Sequence, residues 1–386
     1  MPGTKQITDI KNILAEKQLD GNSQFWQQKL QQITQTNVKK ALTTTPGTYS
    51  FEKILALISP AAENYLEQMA QQAQQLTIQR FGKTIRLYAP LYLSNYCENS
   101  CLYCGFNKTT AAERIRLTVE QAAAEADIIA SEGFTDILLV SSEDREFITV
   151  DYLSALTKKL RKKFSSIAVE IYQLSREDYA RLFEAGIEAV TIYQETYDRA
   201  AYSHFHPAGP KADYDRRLSA ADLIAQAGIR EIGTGVLLGL NDFRTETLAL
   251  AEHVHHLMKR YWQSRSSVSF PRLRPACNVT RRQFKYLLSD TNLVQMILAM
   301  RLCFADVGLV LSTRENANLR DSLVTLGITK TSAGSKTNPG GYSGKTNSLE
   351  QFTTDDKRTP SQIAQMLKSK GYEPVWKDWD CAFLNV

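Results

Sequence analysis

Cysteine is scarce in this sequence, six residues in 386, too few for a disulfide scaffold in a chain of this size. Long apolar runs are missing as well. No segment approaches the roughly 20 uninterrupted apolar residues of a membrane helix, and the polar, mixed-charge stretch from Met1 to Asp20 contains no signal-peptide hydrophobic region. A cytoplasmic location and no membrane contact are therefore expected. Charge of one sign does not dominate: 46 basic and 41 acidic residues leave a net charge of +5 spread along the whole chain. Without a long basic block or a patch of arginines and aromatics, nucleic-acid binding is not expected. No stretch repeats as sequence identity at a period of about 20 to 50 residues.

What is present is a regular alternation. The apolar content of 43% can fill a core, and the length allows one large domain or two smaller ones. Eight short β-rich runs stand at 85–94, 136–142, 167–174, 189–196, 231–240, 268–275, 309–315 and 328–335. Amphipathic stretches of helical period separate them, at 118–132, 152–164, 177–185, 215–227, 245–262 and 290–304, several followed by glycine. Eight strand–helix units predict a closed (β/α)₈ barrel of the TIM type in preference to an open sheet. The first 80 or so residues read as helical. Their Gln-rich run at 68–79, with Leu66, Met69, Ala70, Ala73 and Leu76 at helical spacing, is expected to cover a barrel end. The expected division is a helical extension over 1–80, the barrel over 81–340, and a C-terminal extension over 341–386 capping it.

Barrels of this kind carry their chemistry at the C-terminal ends of the strands, so the last residues of each run are where a site is sought. They form a polar set: Ser141-Ser142-Glu143, Glu170 with Gln173, Gln194-Glu195-Thr196, Arg272 and Arg274, Ser312-Thr313-Arg314-Glu315, and Thr331, Ser332, Ser335 and Lys336. Each taken singly reads equally as a solvated loop end; their shared position is what makes them candidates.

Directly after the first run, Tyr96-Cys97-Glu98-Asn99-Ser100-Cys101-Leu102-Tyr103-Cys104 places three cysteines at C-x₃-C-x₂-C spacing, while Cys277, Cys303 and Cys381 are scattered. Such crowding reads as ligation. Three thiolates hold three irons, and since a cubane cluster normally takes four cysteines, a three-cysteine loop leaves one iron open, as catalytic metal sites require. Structural zinc would need a fourth ligand, and the five histidines, at 204, 206, 253, 255 and 256, lie far along the chain.

The cysteine loop after a barrel strand, with aromatic Tyr103 beside its third cysteine, resembles the radical S-adenosylmethionine superfamily. Longer strings narrow the likeness. Tyr-Leu-Ser-Asn-x-Cys, Tyr-Gln-Glu-Thr-Tyr (193–197), Tyr-Trp-Gln-Ser-Arg (261–265), Ser-Phe-Pro-Arg-Leu-Arg-Pro (269–275), Leu-Ser-Thr-Arg-Glu (311–315) and Gly-Gly-Tyr (340–342) resemble the 2-iminoacetate synthases, tyrosine lyases of thiamine thiazole formation. The similarity runs from about Phe51 to Asp380.

The resemblance implies a [4Fe–4S] cluster held by Cys97, Cys101 and Cys104, with S-adenosylmethionine on the open iron. It implies Glu143 at the cofactor's amino group, Glu170 at its ribose, and Tyr103 and Gly235 on its adenine side. The family's Gly-Gly-Glu element is Ser141-Ser142-Glu143 here, so only Glu143 carries over, and Asp242 stands in place of a glutamate that usually closes the Gly235 strand. Arg314 is implied as the anchor of the substrate carboxylate, framed by Ser332 and Tyr92; the alternative for Arg314 is an ion pair with Glu315. The implied reaction is Cα–Cβ cleavage of L-tyrosine to 2-iminoacetate and p-cresol. Implied partners are a thiazole synthase that receives the imine and a flavodoxin or ferredoxin that supplies the electron; Lys158, Lys159, Arg161, Lys162 and Lys163 are a candidate contact for the latter but read first as a solvated face. Related tryptophan and hydrogenase-maturation tyrosine lyases share these motifs, and a non-catalytic iron–sulfur or zinc protein is the reading from another class. His204 and His206, in the loop after the fourth run, are candidates for proton transfer, His253 and His256 read as a solvated helix face, and 376–383 as core packing, with a cap or partner contact the alternative.

Overall fold

A computed structural model describes residues 9–344 and 348–376. Eight parallel strands, β1 (Thr84–Ser94), β2 (Asp136–Ser141), β3 (Ser166–Glu170), β4 (Ala189–Thr191), β5 (Glu231–Gly235), β6 (Arg265–Ser269), β7 (Gly308–Leu311) and β8 (Lys330–Ser332), pair in chain order. The ring closes because β1 pairs with β2 along Ala89–Ser94 and with β8 along Arg86–Tyr88. A ninth strand, β9 (Glu373–Val375), which the alternation does not reveal, lies beside the first residues of β1, below the point where β2 begins to pair. All eight expected strands are present and the barrel is closed.

The strands are shorter than their apolar runs. In the sixth run the strand starts at Arg265 and ends at Ser269; beyond it Pro271 and Pro275 have no N–H to give to a ladder, and Phe270–Pro275 becomes the loop at the barrel mouth. The helices between strands start where side chains cap them. Thr118 and Gln121 form a reciprocal capping box for Val119–Ser131, and Ser175 caps Arg176–Ala185, which stops at Gly186 with φ of +111°. The stretch expected at 215–227 is two short helices, Tyr214–Leu218 and Ala220–Gln226.

The N-terminal helices pack on the side of the barrel. Helices Phe51–Ile58 and Leu66–Phe81 lie against Asp290–Cys303, with Ile54, Leu57, Met69 and Ala73 fully buried. The Gln-rich helix thus runs along an outer helix. Its Gln74 donates to the Thr325 carbonyl and Arg80 pairs with Asp306, both before strands at the N-terminal end of the barrel. His253 and His256 are not on a solvated face: both are 3% exposed. His253 Nδ1 meets the Tyr197 hydroxyl at 2.7 Å, and His256 Nε2 meets Asp222 Oδ1 at 3.0 Å. That side of helix Phe243–Arg260 faces Tyr197 and helix Ala220–Gln226, while the N-terminal segment covers the neighbouring positions Glu252 and His255 through Lys17 and Tyr49, which the local periodicity does not disclose.

The barrel interior is polar at its N-terminal end. Arg86 of β1 pairs with Asp136 of β2, reaches Ser166 of β3 at 3.0 Å and Glu231 of β5 at 3.5 Å, and Lys330 of β8 meets Asp136 at 3.4 Å. These groups satisfy one another and close that end. At the other end the segment after β8 folds back over the mouth: Gln351 N–H donates to Thr337 O, Thr353 N–H to Pro275 O and Asp355 N–H to Thr313 O. A buried ion pair fastens it, since Arg320, which also donates to Thr331 Oγ1 at 2.8 Å, pairs with Asp356, both side chains at most 2% exposed.

Removing one partner of such a pair strands the other charge in the interior. Asp356→Ala is expected to lower unfolding free energy by about 3–5 kcal/mol, read by urea denaturation; a loss below about 1 kcal/mol would mean the segment is held by its backbone bonds alone.

Candidate active site at the barrel mouth

The cysteine loop leaves the end of β1 and is held by backbone bonds on three sides. Glu98 N–H donates to Glu143 O after β2, Ser100 and Leu102 N–H donate to Ala208 O and Phe205 O after β4, and Gly105 N–H donates to Gln351 O at 3.2 Å. Gly105 is required there, because a Cβ would sit 2.7 Å from that carbonyl. The three thiols face one cleft of about 960 Å³, whose wall includes Glu143, Glu170, Tyr103 and Arg314.

Two sulfurs receive amide donors, Cys97 from Asn99 Nδ2 at 3.8 Å and Cys104 from Gln351 Nε2 at 3.7 Å. Burial pushes the Cys101 thiol up to about 12 and raises that of Cys104 as well, so these groups ionise readily only where positive charge compensates them, as iron does. Among the described residues, no three His, Cys, Asp or Glu side chains converge on a point where one ion would sit. Three thiols around a shared cleft, with amide donors behind two of them, suit the separate corners of an iron–sulfur cluster and not a single zinc ion. The donor set therefore fits a [4Fe–4S] cluster.

Glu143 is engaged at both carboxylate oxygens, accepting from Asn99 Nδ2 at 2.7 Å and from Arg145 Nε at 2.9 Å. The serines that precede it do not take a left-handed backbone; the Ser142 hydroxyl instead bonds the Ser94 and Tyr96 carbonyls, tying β2 to the start of the cysteine loop. Glu170, at the end of β3, has its carboxyl raised above the ordinary range by burial, against the opposing influence of a Tyr193 hydrogen bond and Arg314. Gly235 does not line the cleft. It seats Tyr193, which does, because a Cβ at Gly235 would come within 2.8 Å of the Tyr193 ring.

Tyr103 donates its hydroxyl to His206 Nε2 at 2.8 Å, an orientation set by the Tyr202 carbonyl, which can only accept and takes the Nδ1 proton at 2.8 Å. Burial, with Lys211 nearby, lowers His206 to about 3. It is thus a neutral anchor for Tyr103, while His204 is exposed and outside this contact. Lys211 pairs with Glu195 at 2.5 Å, and both line the cleft. Burial alone would raise Glu195, but Lys211 and Arg217 hold it below the usual range; its φ of +70° lets its carbonyl accept from Leu237 N–H after β5.

A second chamber of about 590 Å³ adjoins the first and shares Glu170, Tyr193, Arg314 and Phe352 with it. Tyr92 and Ser332 line this chamber. Tyr92 donates to Gln351 Oε1 at 2.8 Å, and Ser332 Oγ accepts from Thr313 N–H at 3.1 Å. Glu315 is not the partner of Arg314: Arg272 Nε at 3.0 Å and Arg274 Nη2 at 3.2 Å occupy it. The Arg314 guanidinium lies 3.3 Å from the Phe352 ring centroid and makes one long bond, 3.4 Å, to the Arg272 carbonyl. Among the described residues it forms no ion pair.

The radical SAM superfamily model matches residues 91–251, and the biotin and thiamin synthesis associated domain matches 269–373. The 2-iminoacetate synthase of Escherichia coli is 43% identical over 348 residues, 90% of this chain and 91% of that one. The chain belongs to the 2-iminoacetate synthase family. The Salmonella typhimurium member is 44% identical over the same shares. The [FeFe]-hydrogenase maturase HydG of Carboxydothermus hydrogenoformans is 32% identical, with a TM-score of 0.84 over 96% of this chain and 85% of its own. Like other radical SAM enzymes, this 2-iminoacetate synthase family member takes a [4Fe–4S] cluster and S-adenosylmethionine as cofactors.

Sequence reading overlooked Gln351, Asn99, Lys211 and Phe352. Gln351 and Phe352 come from a segment with no periodic signal, and only the fold brings them to the cysteines. Gln194-Glu195-Thr196 did stand among the strand ends, and its Glu195 is part of the wall.

The His206 environment has a pH consequence. Its folded-state value lies below its unfolded value, so the unfolded chain binds a proton that the folded one refuses, and stability falls as pH drops below about 6.5. His206→Gln is expected to remove about 2 kcal/mol of the stability lost between pH 7 and pH 5, measured by urea unfolding at the two pH values.

Proposed function

We propose that this chain cleaves the Cα–Cβ bond of L-tyrosine to release p-cresol and 2-iminoacetate. The observation that carries the reading is Arg314: a guanidinium that forms no ion pair among the described residues, facing a chamber continuous with the cleft of the three cysteines. Membership of the 2-iminoacetate synthase family supports it.

When bound, the cluster and S-adenosylmethionine supply a carbon-centred radical able to take a hydrogen atom from the tyrosine amino group. The chain's own residues orient the reactants and exclude water. Cys97, Cys101 and Cys104 would ligate three irons. Glu170 would accept from the ribose hydroxyls and Glu143 from the methionyl ammonium, while Tyr103, fixed by His206, would contact the cofactor, and Gly235 would act on its adenine side through its seat for Tyr193. Arg314 offers paired, charge-assisted bonds to the substrate carboxylate, stronger in a closed chamber than in water. Its stacking on Phe352 fixes the plane of the guanidinium before substrate arrives. Ser332 and Tyr92 frame the same end. The segment carrying Gln351 and Phe352 roofs the chamber, which favours radical chemistry by keeping water out.

2-Iminoacetate hydrolyses readily, so direct transfer to a thiazole synthase is the proposed fate of the product. One-electron reduction by a flavodoxin or ferredoxin is proposed for the cluster. The free thiols support a reducing, cytoplasmic setting, and among the described residues no helix is long and apolar enough to cross a membrane.

Anaerobically reconstituted protein reduced with dithionite is expected to form p-cresol, glyoxylate and 5′-deoxyadenosine from tyrosine; turnover of tryptophan without p-cresol would overturn the assignment. Replacing Cys97, Cys101 or Cys104 by Ser should abolish both products. Arg314→Ala is expected to cut p-cresol formation by roughly 100-fold, the loss typical of a buried charge-assisted contact, and to reduce tyrosine-independent cofactor cleavage far less.

A further inference from the structure

The second chamber holds a buried hydroxyl that the proposed reaction does not use. Ser335 lies three residues beyond β8, after Gly334, whose φ of +61° turns the chain. It lines the chamber that contains Arg314, and its Oγ is shut off from solvent with no hydrogen-bond partner among the described residues. A hydroxyl in that state forfeits the bonds it would make to water, a cost that a polar atom of a ligand removes.

Other hydroxyls on the same wall are engaged. Tyr92 donates to Gln351 Oε1 at 2.8 Å, Ser332 Oγ accepts from Thr313 N–H at 3.1 Å, and Thr337 Oγ1 donates to Phe352 O at 2.9 Å. Tyr193 bonds Glu170 and Ser269, and Tyr88 bonds Ser332. Much of the remaining lining is apolar, with Pro90, Leu138, Val140, Phe270 and Val310. The chain around Ser335 is held on both sides. A Cβ at Gly334 would come 3.0 Å from the Pro360 ring, so the start of helix Pro360–Ser369 backs the turn, and Thr337 O accepts from Gln351 N–H at 2.9 Å. Ser335 is therefore in place before a ligand arrives, which lowers the ordering cost of binding.

A tyrosine with its carboxylate on Arg314 would set its ring against the apolar part of this wall and bring one further polar atom, the phenol oxygen. We propose that Ser335 is a specificity-determining residue whose hydroxyl bonds that phenol oxygen, so that the chamber selects a para-hydroxylated ring over a bare one. The inference rests on the proposed tyrosine cleavage and deepens it, by naming what reads the far end of the substrate. Serine suits the task because its hydroxyl both donates and accepts. A bare phenyl ring would leave Ser335 Oγ unpartnered in a chamber closed to water, and a site built on such a bond discriminates against the analogue that lacks it.

Equilibrium dialysis of the reconstituted, S-adenosylmethionine-loaded protein without reductant measures binding apart from turnover. With labelled L-tyrosine and L-phenylalanine as probes, the parent is expected to prefer tyrosine by about tenfold or more. Ser335→Ala should weaken tyrosine by about tenfold while phenylalanine stays within about twofold of the parent, so that the preference collapses. A parent preference below about twofold overturns the assignment without any variant. So does a Ser335→Ala protein that keeps the parent's preference, or that loses affinity for both amino acids equally, as a merely structural serine would. A preference that collapses in Ser335→Ala, in a parent that forms no p-cresol once reduced, upholds the phenol contact and counts against the cleavage. Unchanged preference in Ser335→Ala, with p-cresol formed by the reduced parent, overturns the contact and leaves the cleavage standing.

Discussion

Closure of the strand ring, where β8 pairs with β1 along Arg86–Tyr88 and Lys330–Ser332, brings eight strand ends to each mouth of one barrel, and the charged groups there must satisfy one another or something else. At the N-terminal end they satisfy one another. Arg86, Asp136, Glu231 and Lys330 form a charge-paired network across β1, β2, β5 and β8 that plugs that end. At the C-terminal end the pairing is incomplete, and incompleteness is what makes a site.

The distribution of carboxylates around the mouth explains which groups are left over. Arg272 and Arg274 share Glu315, and Lys211 with Arg217 holds Glu195. Glu143 is held at its two oxygens by Asn99 and Arg145 and keeps lone pairs for a further donor. Arg314 and Glu170 remain, half-buried and facing the shared wall of the two chambers, and desolvation there raises the Glu170 carboxyl above its usual range. The roof over them is the segment at 348–356, which reaches the cysteine loop through Gln351 and stacks Phe352 on Arg314, and the Arg320–Asp356 pair keeps it in place.

Much of this was legible in the residue order, for physical reasons. Strand and helix alternation is local, so the eight runs at 85–335 found the eight strands, and the rule that barrel chemistry sits at strand ends found Glu170, Arg314 and Ser332 before any coordinates. The cysteine spacing is local too. The misplacements were of another kind. His253 and His256 looked solvated because three-residue spacing on a polar helix carries no information about which neighbours, here Tyr197 and Asp222, pack against it in the fold. The end of the sixth strand was overrun because apolar Phe270 and Leu273 continue past Ser269 into a loop whose hydrogen bonds go elsewhere. Gln351 and Asn99 were not seen at all, since an isolated amide has no pattern, and its value comes from lying under 4 Å from a thiol in the fold.

By itself, then, the sequence determined the barrel, the cluster loop and the family, because backbone periodicity and ligand spacing are written in neighbouring residues. Which arginine stays unpaired, which histidine is neutral, which buried hydroxyl of the chamber lacks a partner among the described residues, and which distant segment roofs the site were decided only by the tertiary structure. These depend on burial and on competition among polar groups brought together from segments more than 100 residues apart, as Tyr92 and Gln351 are, and neither burial nor competition exists until the ring has closed.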